Sequence, residues 1–126
     1  MRPIHIVLAH RDPALGDSLV RSIQKQFQNV ETASDLDGIR RAIARRKCRL
    51  AVVDLELVTL ADLGELCREF PATAFVCTHR LADDSMWSQS LALGAVDCCL
   101  ASDVPKILQA SAHYLAIKDS QASSAA

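Results

Sequence analysis

A single carboxylate, Asp54, ends the most strand-like run of this sequence. The run at 50–53, Leu-Ala-Val-Val, is small, branched and apolar, which is typical of a central strand buried on both faces. In open parallel α/β sheets, ligands bind at the carboxyl ends of the strands. Partner acids beside Asp54 would favour a divalent cation, which needs oxygen ligands. A positive neighbour would favour an ion pair instead.

Strand and helix patterns alternate along the chain and supply the frame for Asp54. Apolar β-branched runs predict five strands, at 4–9, 29–33, 50–53, 74–77 and 96–100. Apolar residues at helical spacing predict a helix after each strand. Asp12 and Pro13 predict the start of the first helix, and Ser34 with Asp37 resembles a capping box for the second. Gly94 stands where a left-handed residue should end the fourth helix.

Five β-then-α units with short connections predict one three-layer α/β domain, with a doubly wound parallel sheet between its helices. We expect this domain at 1–118 and a flexible tail at 119–126. The first βα turn, His10-Arg11-Asp12-Pro13, lacks the Gly-rich pattern of dinucleotide and P-loop sites. The flavodoxin-like strand order 2-1-3-4-5 therefore fits better. In that order Asp54 faces His10, Arg11 and Asp12.

Composition narrows the class of protein. The chain has 126 residues, 50% of them hydrophobic, and a net charge of −1. That balance argues against bulk binding of nucleic acid and against a polybasic membrane surface. No apolar run approaches the roughly 20 residues of a membrane span, and the start does not resemble a signal peptide. We expect a cytoplasmic protein, with no membrane contact and no direct nucleic-acid contact.

Four segments together resemble the receiver domain of response regulators, the CheY-like family. The segment at 7–15 resembles the first-strand signature, and Val52 to Glu56 resembles the phospho-acceptor strand. Val76 to Thr78 resembles the fourth strand with its switch hydroxyl. The segment at 92–95 resembles the Gly-Ala before the fifth strand. The resemblance covers about Ile4 to Ile117 and implies a two-component signalling role, typically bacterial, in a phosphorelay.

The resemblance assigns roles to positions, and several positions hold the wrong residue. Asp54 matches the phospho-acceptor and Thr78 the switch residue. The two acids that bind metal in the family correspond to His10 and Arg11 here, and the acid Asp12 lies one position further along the chain. Three further positions differ from the family. The family's lysine corresponds to Ala101, its switch aromatic to Cys98, and the proline of its acceptor loop to Val58. These departures indicate an atypical pseudo-receiver without a metal and without catalytic residues.

Arg11 suggests a physical substitute for the metal. Two unit charges about 4 Å apart attract by roughly 4 kcal/mol at an effective dielectric constant of about 20. An Arg11–Asp54 ion pair would therefore neutralise the pocket without any ligand. Glu56 is the obvious extra acid nearby, and we expect it to be solvated on its loop.

We therefore expect a signalling module that is not an enzyme, has no cofactor and binds a protein partner independently of phosphorylation. Partners implied by the resemblance are a histidine kinase or an output protein on the fourth and fifth helices, and a homodimer stays open. The alternative is a working phospho-acceptor that a histidine kinase phosphorylates at Asp54 with Mg²⁺. A second alternative is a small flavodoxin-like enzyme or nucleotide binder.

Three other features have ordinary interpretations. The five cysteines lack C-x-x-C spacing and are predicted to be buried hydrophobes, although the pair Cys98-Cys99 could sense oxidants. The basic stretch over 40–49 is predicted to be a solvated helix face. Trp87, on the fourth helix, is predicted to be core, with a partner surface as the alternative.

Overall fold

Five strands alternate with five helices. The structure, a computed structural model, describes residues 4–27 and 29–125, with side chains as far as 115. The strands are β1 (His5–Ala9), β2 (Asn29–Ala33), β3 (Leu50–Asp54), β4 (Ala74–His79) and β5 (Asp97–Leu100). The helices are α1 (Pro13–Gln24), α2 (Leu36–Arg46), α3 (Leu60–Glu69), α4 (Asp84–Ala92) and α5 (Val104–Ala125). All neighbouring strands are parallel, in the order β2-β1-β3-β4-β5, so the predicted fold and strand order are confirmed.

The sheet is buried on both faces, as its apolar strands predict. Val7 belongs to a cluster with residues of α2 and α3, and its neighbour Leu8 to a cluster with residues of α1 and α5. This alternation follows from the two-residue period of a strand. All five residues of β3 are buried, Asp54 included. The strand that ends in the carboxylate is therefore the rigid centre of the molecule.

Acidic and hydroxyl side chains fix the start of each helix at the carboxyl edge of the sheet. Asp12 caps α1 as predicted, and its Oδ1 accepts the Ala14 N–H at 3.0 Å. The α2 cap is Asp35 and not Ser34, because the helix begins one residue later than predicted. Thr59 caps α3 through a reciprocal capping box with Asp62, which the sequence analysis missed.

Gly94 follows α4 with a φ of +115°, in the left-handed region predicted for it. A Cβ at this position would lie 2.9 Å from Cys67 Cβ. Gly94→Ala is expected to lower the free energy of unfolding by about 1–3 kcal/mol, because strain and overlap act together. Urea denaturation measures this change. In Gly64→Ala the new Cβ meets the flexible end of Leu93 at 3.1 Å, so this control should change stability by less than about 1 kcal/mol. Equal losses in both variants would contradict the argument from backbone conformation.

The predicted domain boundary at residue 118 falls inside α5 (Val104–Ala125). Side chains from residue 116 onward lie outside the described residues, so the tail at 119–126 stays a prediction. Among the described residues, no helix has both the length and the apolar character needed to cross a bilayer.

Candidate functional site

Asp54 lies at the carboxyl end of β3 with 2% of its surface exposed. Both of its carboxylate oxygens accept backbone hydrogen bonds, since Arg11 N–H donates to Oδ2 at 2.9 Å and Glu56 N–H donates to Oδ1 at 2.9 Å. Buried carboxylates are costly unless they are paired or hydrogen-bonded. These two amides, one from the β1–α1 loop and one from the β3–α3 loop, therefore fix the orientation of the carboxylate.

His10 lies beside Asp54, because Ala9 before it pairs in register with Val53. Its Nδ1 is 3.6 Å from Asp54 Oδ2 and accepts the Asp12 N–H at 2.9 Å. Nε2 is buried, with no hydrogen-bond partner in the described part of the chain. His10 Nδ1 therefore bonds the Asp12 amide, and its 3.6 Å separation from Asp54 Oδ2 is longer than a hydrogen bond.

The predicted Arg11–Asp54 ion pair is wrong. The Arg11 side chain is half exposed, and its Nη1 lies 3.4 Å from Glu56 Oε2. Only the backbone amide of Arg11 reaches Asp54. The physical reason is access: Asp54 is buried and already bonded to two amides, whereas Glu56 presents its carboxylate at the edge, where a long guanidinium side chain can meet it. The cation is present at this edge, but it pairs with another acid.

Glu56 is the centre of an ionic clamp that the sequence analysis missed, because it expected a solvated side chain. Arg80 Nε donates to both oxygens, at 2.8 and 2.9 Å, and Arg80 N–H donates at 3.1 Å. These hydrogen bonds, with the charge of Arg11, lower the pKa of Glu56 from 4.5 to about 2. We define the Glu56 clamp as Glu56 with Arg11 and Arg80. It joins the loops after β1, β3 and β4.

The sheet topology explains why residues at the end of β4 lie beside Glu56. His79, the last residue of β4, has its Nδ1 4.0 Å from Glu56 Oε1 and accepts the Leu81 N–H at 2.9 Å. Carboxyl ends of neighbouring parallel strands meet at one edge. A charged residue just after β4, Arg80, was therefore a readable signal for a partner of Glu56.

The remaining predicted positions, Thr78, Cys98 and Ala101, form no side-chain hydrogen bond with Asp54. Thr78 is the register partner of Asp54 and is 1% exposed, and its buried Oγ1 lacks a hydrogen-bond partner among the described residues. Cys98 is buried on β5 beside Cys77. Ala101 follows β5, and its amide donates to His79 O at 3.0 Å. An apolar methyl group thus stands where the family places an ammonium group.

The acids at this edge, Asp54, Glu56 and Asp12, already bond groups of the protein. Mg²⁺ requires several oxygen ligands in near-octahedral geometry. Within the described residues, no group of three or more His, Cys, Asp or Glu side chains could hold a metal ion. The charge of Glu56, the acid closest to Asp54 along the chain, is already matched by Arg80 and Arg11.

The cysteines behave as small hydrophobes, as predicted. Four of them are buried and Cys67 is half-buried. Burial raises the pKa of the Cys48 thiol to about 11, that of Cys99 to about 12 and that of Cys77 well above its ordinary value. A thiol with a raised pKa holds little thiolate, which is the reactive form. Oxidant sensing by Cys98-Cys99 gains no support from this geometry.

The prediction that Trp87 is a core residue is wrong. Its side chain is 46% exposed, and its Nε1 donates to Asp97 Oδ1 at 3.2 Å. Leu81 is 73% exposed and Leu100 is 42% exposed. We call these three residues the apolar surface; they belong to the β4–α4 loop, α4 and β5. A tryptophan that is partly exposed and whose indole N–H is hydrogen-bonded is a typical contact residue.

The structure superposes closely on solved receiver domains. A response regulator from Thermotoga maritima aligns with a TM-score of 0.82 and 19% identity, over 91% of this chain and 99% of that chain. A CheY-like receiver domain protein from Methanospirillum hungatei JF-1 aligns with a TM-score of 0.81 and 18% identity, over 95% and 99%. This chain has the fold of a response-regulator receiver domain. No protein-family model and no curated protein matches the sequence.

A third receiver-type structure gives a chemical contrast. A response regulator protein from Burkholderia pseudomallei, solved with a phosphorylated aspartic acid and a calcium ion, aligns with a TM-score of 0.77 and 18% identity over 94% of this chain and 72% of that one. The receiver fold is therefore shared with a protein that carries both groups.

Proposed function

We propose that this receiver-fold chain is a signalling module that binds a protein partner without being phosphorylated. Its acceptor edge is held in a single state by its own charges. It would act as a non-enzymatic adaptor of two-component signalling, in the cytoplasm of a bacterium. The Glu56 clamp carries the proposal, because it already engages the two arginines of this edge, where the receiver resemblance implies positive charge from a metal and a lysine.

Phosphoryl transfer needs positive charge on the oxygens of the moving group, together with fixed positions for attack and departure. The guanidinium groups of Arg11 and Arg80, on the loops after β1 and β4, are paired with Glu56. Ala101 offers no charge. A phosphodonor would therefore meet a buried carboxylate without a cation free to neutralise it. This arrangement favours a pocket that keeps one conformation over a pocket whose conformation depends on phosphorylation.

The apolar surface of Leu81, Trp87 and Leu100 is our candidate for the partner contact. All three are exposed, and they belong to the fourth βα unit and the fifth strand. Tryptophan is among the residues that most often carry the binding energy of protein interfaces. The partner is then a kinase, an output protein or a second copy of this chain.

The phospho-acceptor alternative has a direct test. The protein is incubated with a small phosphodonor and Mg²⁺, and its intact mass is measured; we expect no added phosphoryl group. In parallel, a Mg²⁺ site with a Kd of about 0.1 mM would stabilise the fold by about 2.7 kcal/mol at about 10 mM Mg²⁺, and we expect no such shift in thermal unfolding. A phosphoryl adduct that is absent in Asp54→Asn would overturn the proposal.

The enzyme or nucleotide-binder alternative is weaker. A cavity of about 200 Å³ lies beside His10, between α1 and the ends of β1 and β2. Ligand pockets usually measure about 300–1,000 Å³. Its lining residues include Asp17, Thr32 and Ser34, none of which forms a Gly-rich phosphate loop.

A further inference from the structure

The charges at the helix ends differ between the two edges of the sheet. In a parallel α/β fold, every helix begins at the carboxyl edge of the sheet and ends at its amino edge. Acids that cap or open the helices therefore gather at the carboxyl edge, and they are Asp12, Asp35, Asp37, Asp62, Asp83, Asp84 and Asp103. Basic residues in the last helical turns gather at the opposite edge, and they are Arg21, Arg45, Arg46 and Arg68.

The end of α2 concentrates the basic charge further. Residues 40–49 hold six of the 14 basic residues of the chain and none of its 15 acids. Helix-end stabilisation explains basic residues in the last turn, because cations interact favourably with the carbonyl end of a helix. It does not explain Arg41, which lies in the middle of α2 (Leu36–Arg46) and is exposed.

Part of this charge is neutralised within the molecule and part is not. Arg40 binds Glu65 and Glu69 of α3, and Arg45 binds Glu31 of β2. Arg41, Arg46 and Lys47 are exposed and form no ion pair or side-chain hydrogen bond with the described residues. We name these three residues the basic edge.

Lys47 also adopts an unusual backbone. It ends α2 in the left-handed conformation, with φ 52° and ψ 53°. Glycine is the usual residue there, because a side chain costs about 1–2 kcal/mol in this conformation. The chain thus keeps a charged side chain where a glycine would fit more easily. Strained positions of this kind point to a use for the side chain.

We infer that the basic edge is a docking surface for an acidic protein segment. Carboxylates are the groups that already satisfy the two paired arginines of the same helix, Arg40 and Arg45. Nucleic acid fits less well, because three unpaired cations are few for a phosphate backbone, where binding proteins commonly make about 6–10 contacts. No aromatic residue lies within 40–49 to stack on bases. This surface lies at the opposite edge of the sheet from Asp54, so the inference goes beyond the proposed function and does not depend on it.

A labelled peptide of eight glutamates is the probe, with binding followed by fluorescence anisotropy at low salt. The variant Arg41→Gln/Arg46→Gln/Lys47→Gln is expected to bind it at least about 10-fold more weakly, because the attraction is electrostatic and the surface is exposed. A matched control, Arg21→Gln/Lys25→Gln/Lys106→Gln, removes the same charge from α1 and α5 and should bind within about 2-fold of the natural chain. Far-UV circular dichroism establishes that both variants fold.

Three outcomes would overturn the inference. The first is equal weakening in both variants, which would show an effect of net charge alone. The second is tighter binding of a DNA duplex, or of vesicles containing an anionic lipid, than of the peptide, with the same loss in the α2 variant. The third is no binding of the peptide by the natural chain at low salt.

Discussion

A variant carrying His10→Asp, Arg11→Asp and Ala101→Lys is expected to accept a phosphoryl group at Asp54 when Mg²⁺ is present. These changes restore the acid pair and the lysine that the receiver resemblance places at the three positions. With a small phosphodonor, we expect the rate of labelling to rise at least about 100-fold over that of the natural chain, since metal coordination contributes several kcal/mol of charge stabilisation. Intact mass spectrometry measures the adduct.

The expected gain has a thermodynamic counterpart. Two added carboxylates beside Asp54 repel it, and Arg11→Asp also removes one cation from the Glu56 clamp. The variant should therefore be less stable than the natural chain without metal, and Mg²⁺ should raise its melting temperature, because a ligand that binds only the folded state stabilises it. The natural chain should not respond to Mg²⁺.

Adding Asp54→Asn to the triple variant is the control for the site of modification. It should abolish the adduct, because the nucleophilic carboxylate is lost. A triple variant that binds Mg²⁺ but takes up no phosphoryl group would show that the backbone around Asp54, and not the missing side chains, prevents the reaction. An equal yield of the adduct in the natural chain would show that the departures from the receiver pattern do not prevent phosphorylation.

The Glu56 clamp is expected to fail in acid over a defined range of pH. The pKa of Glu56 in the folded protein is lowered from 4.5 to about 2, chiefly by its hydrogen bonds with Arg80. A group with a lowered folded pKa contributes stability that is fully present above its ordinary pKa and is lost as the pH falls toward the folded value. The clamp should therefore contribute fully above about pH 4.5 and vanish near pH 2.

Urea denaturation of the natural chain and of Glu56→Gln, from pH 7 to pH 2, tests this expectation. Glu56→Gln should be less stable at neutral pH, and the difference between the two proteins should close as the pH falls from 4.5 to about 2. Glu65→Gln is the control, because Glu65 pairs with Arg40 at an exposed site, where ion pairs typically contribute about 0–1 kcal/mol. A constant difference between Glu56→Gln and the natural chain at every pH would mean that the carboxylate charge is not responsible.

The sequence by itself predicted the architecture. The run that ends at Asp54, the cap at Asp12 and the glycine at Gly94 each reflect local rules of strand burial, helix capping and backbone conformation. Those rules depend on residues close together in the chain, and so they can be read without coordinates. The strand order followed because parallel βα units with no Gly-rich turn leave few alternatives.

Only the tertiary structure decided how the charges pair. The sequence predicts Arg11 as the partner of Asp54 and Trp87 as a core residue. The fold instead buries Asp54 beneath two backbone amides and brings Arg80 from another loop to Glu56. Ion pairs between exposed loops depend on the reach and access of long side chains, which are set by packing across the sheet. Sequence spacing does not show how far a side chain reaches. The prediction therefore located Arg11 at the correct edge of the sheet but paired it with Asp54 instead of Glu56.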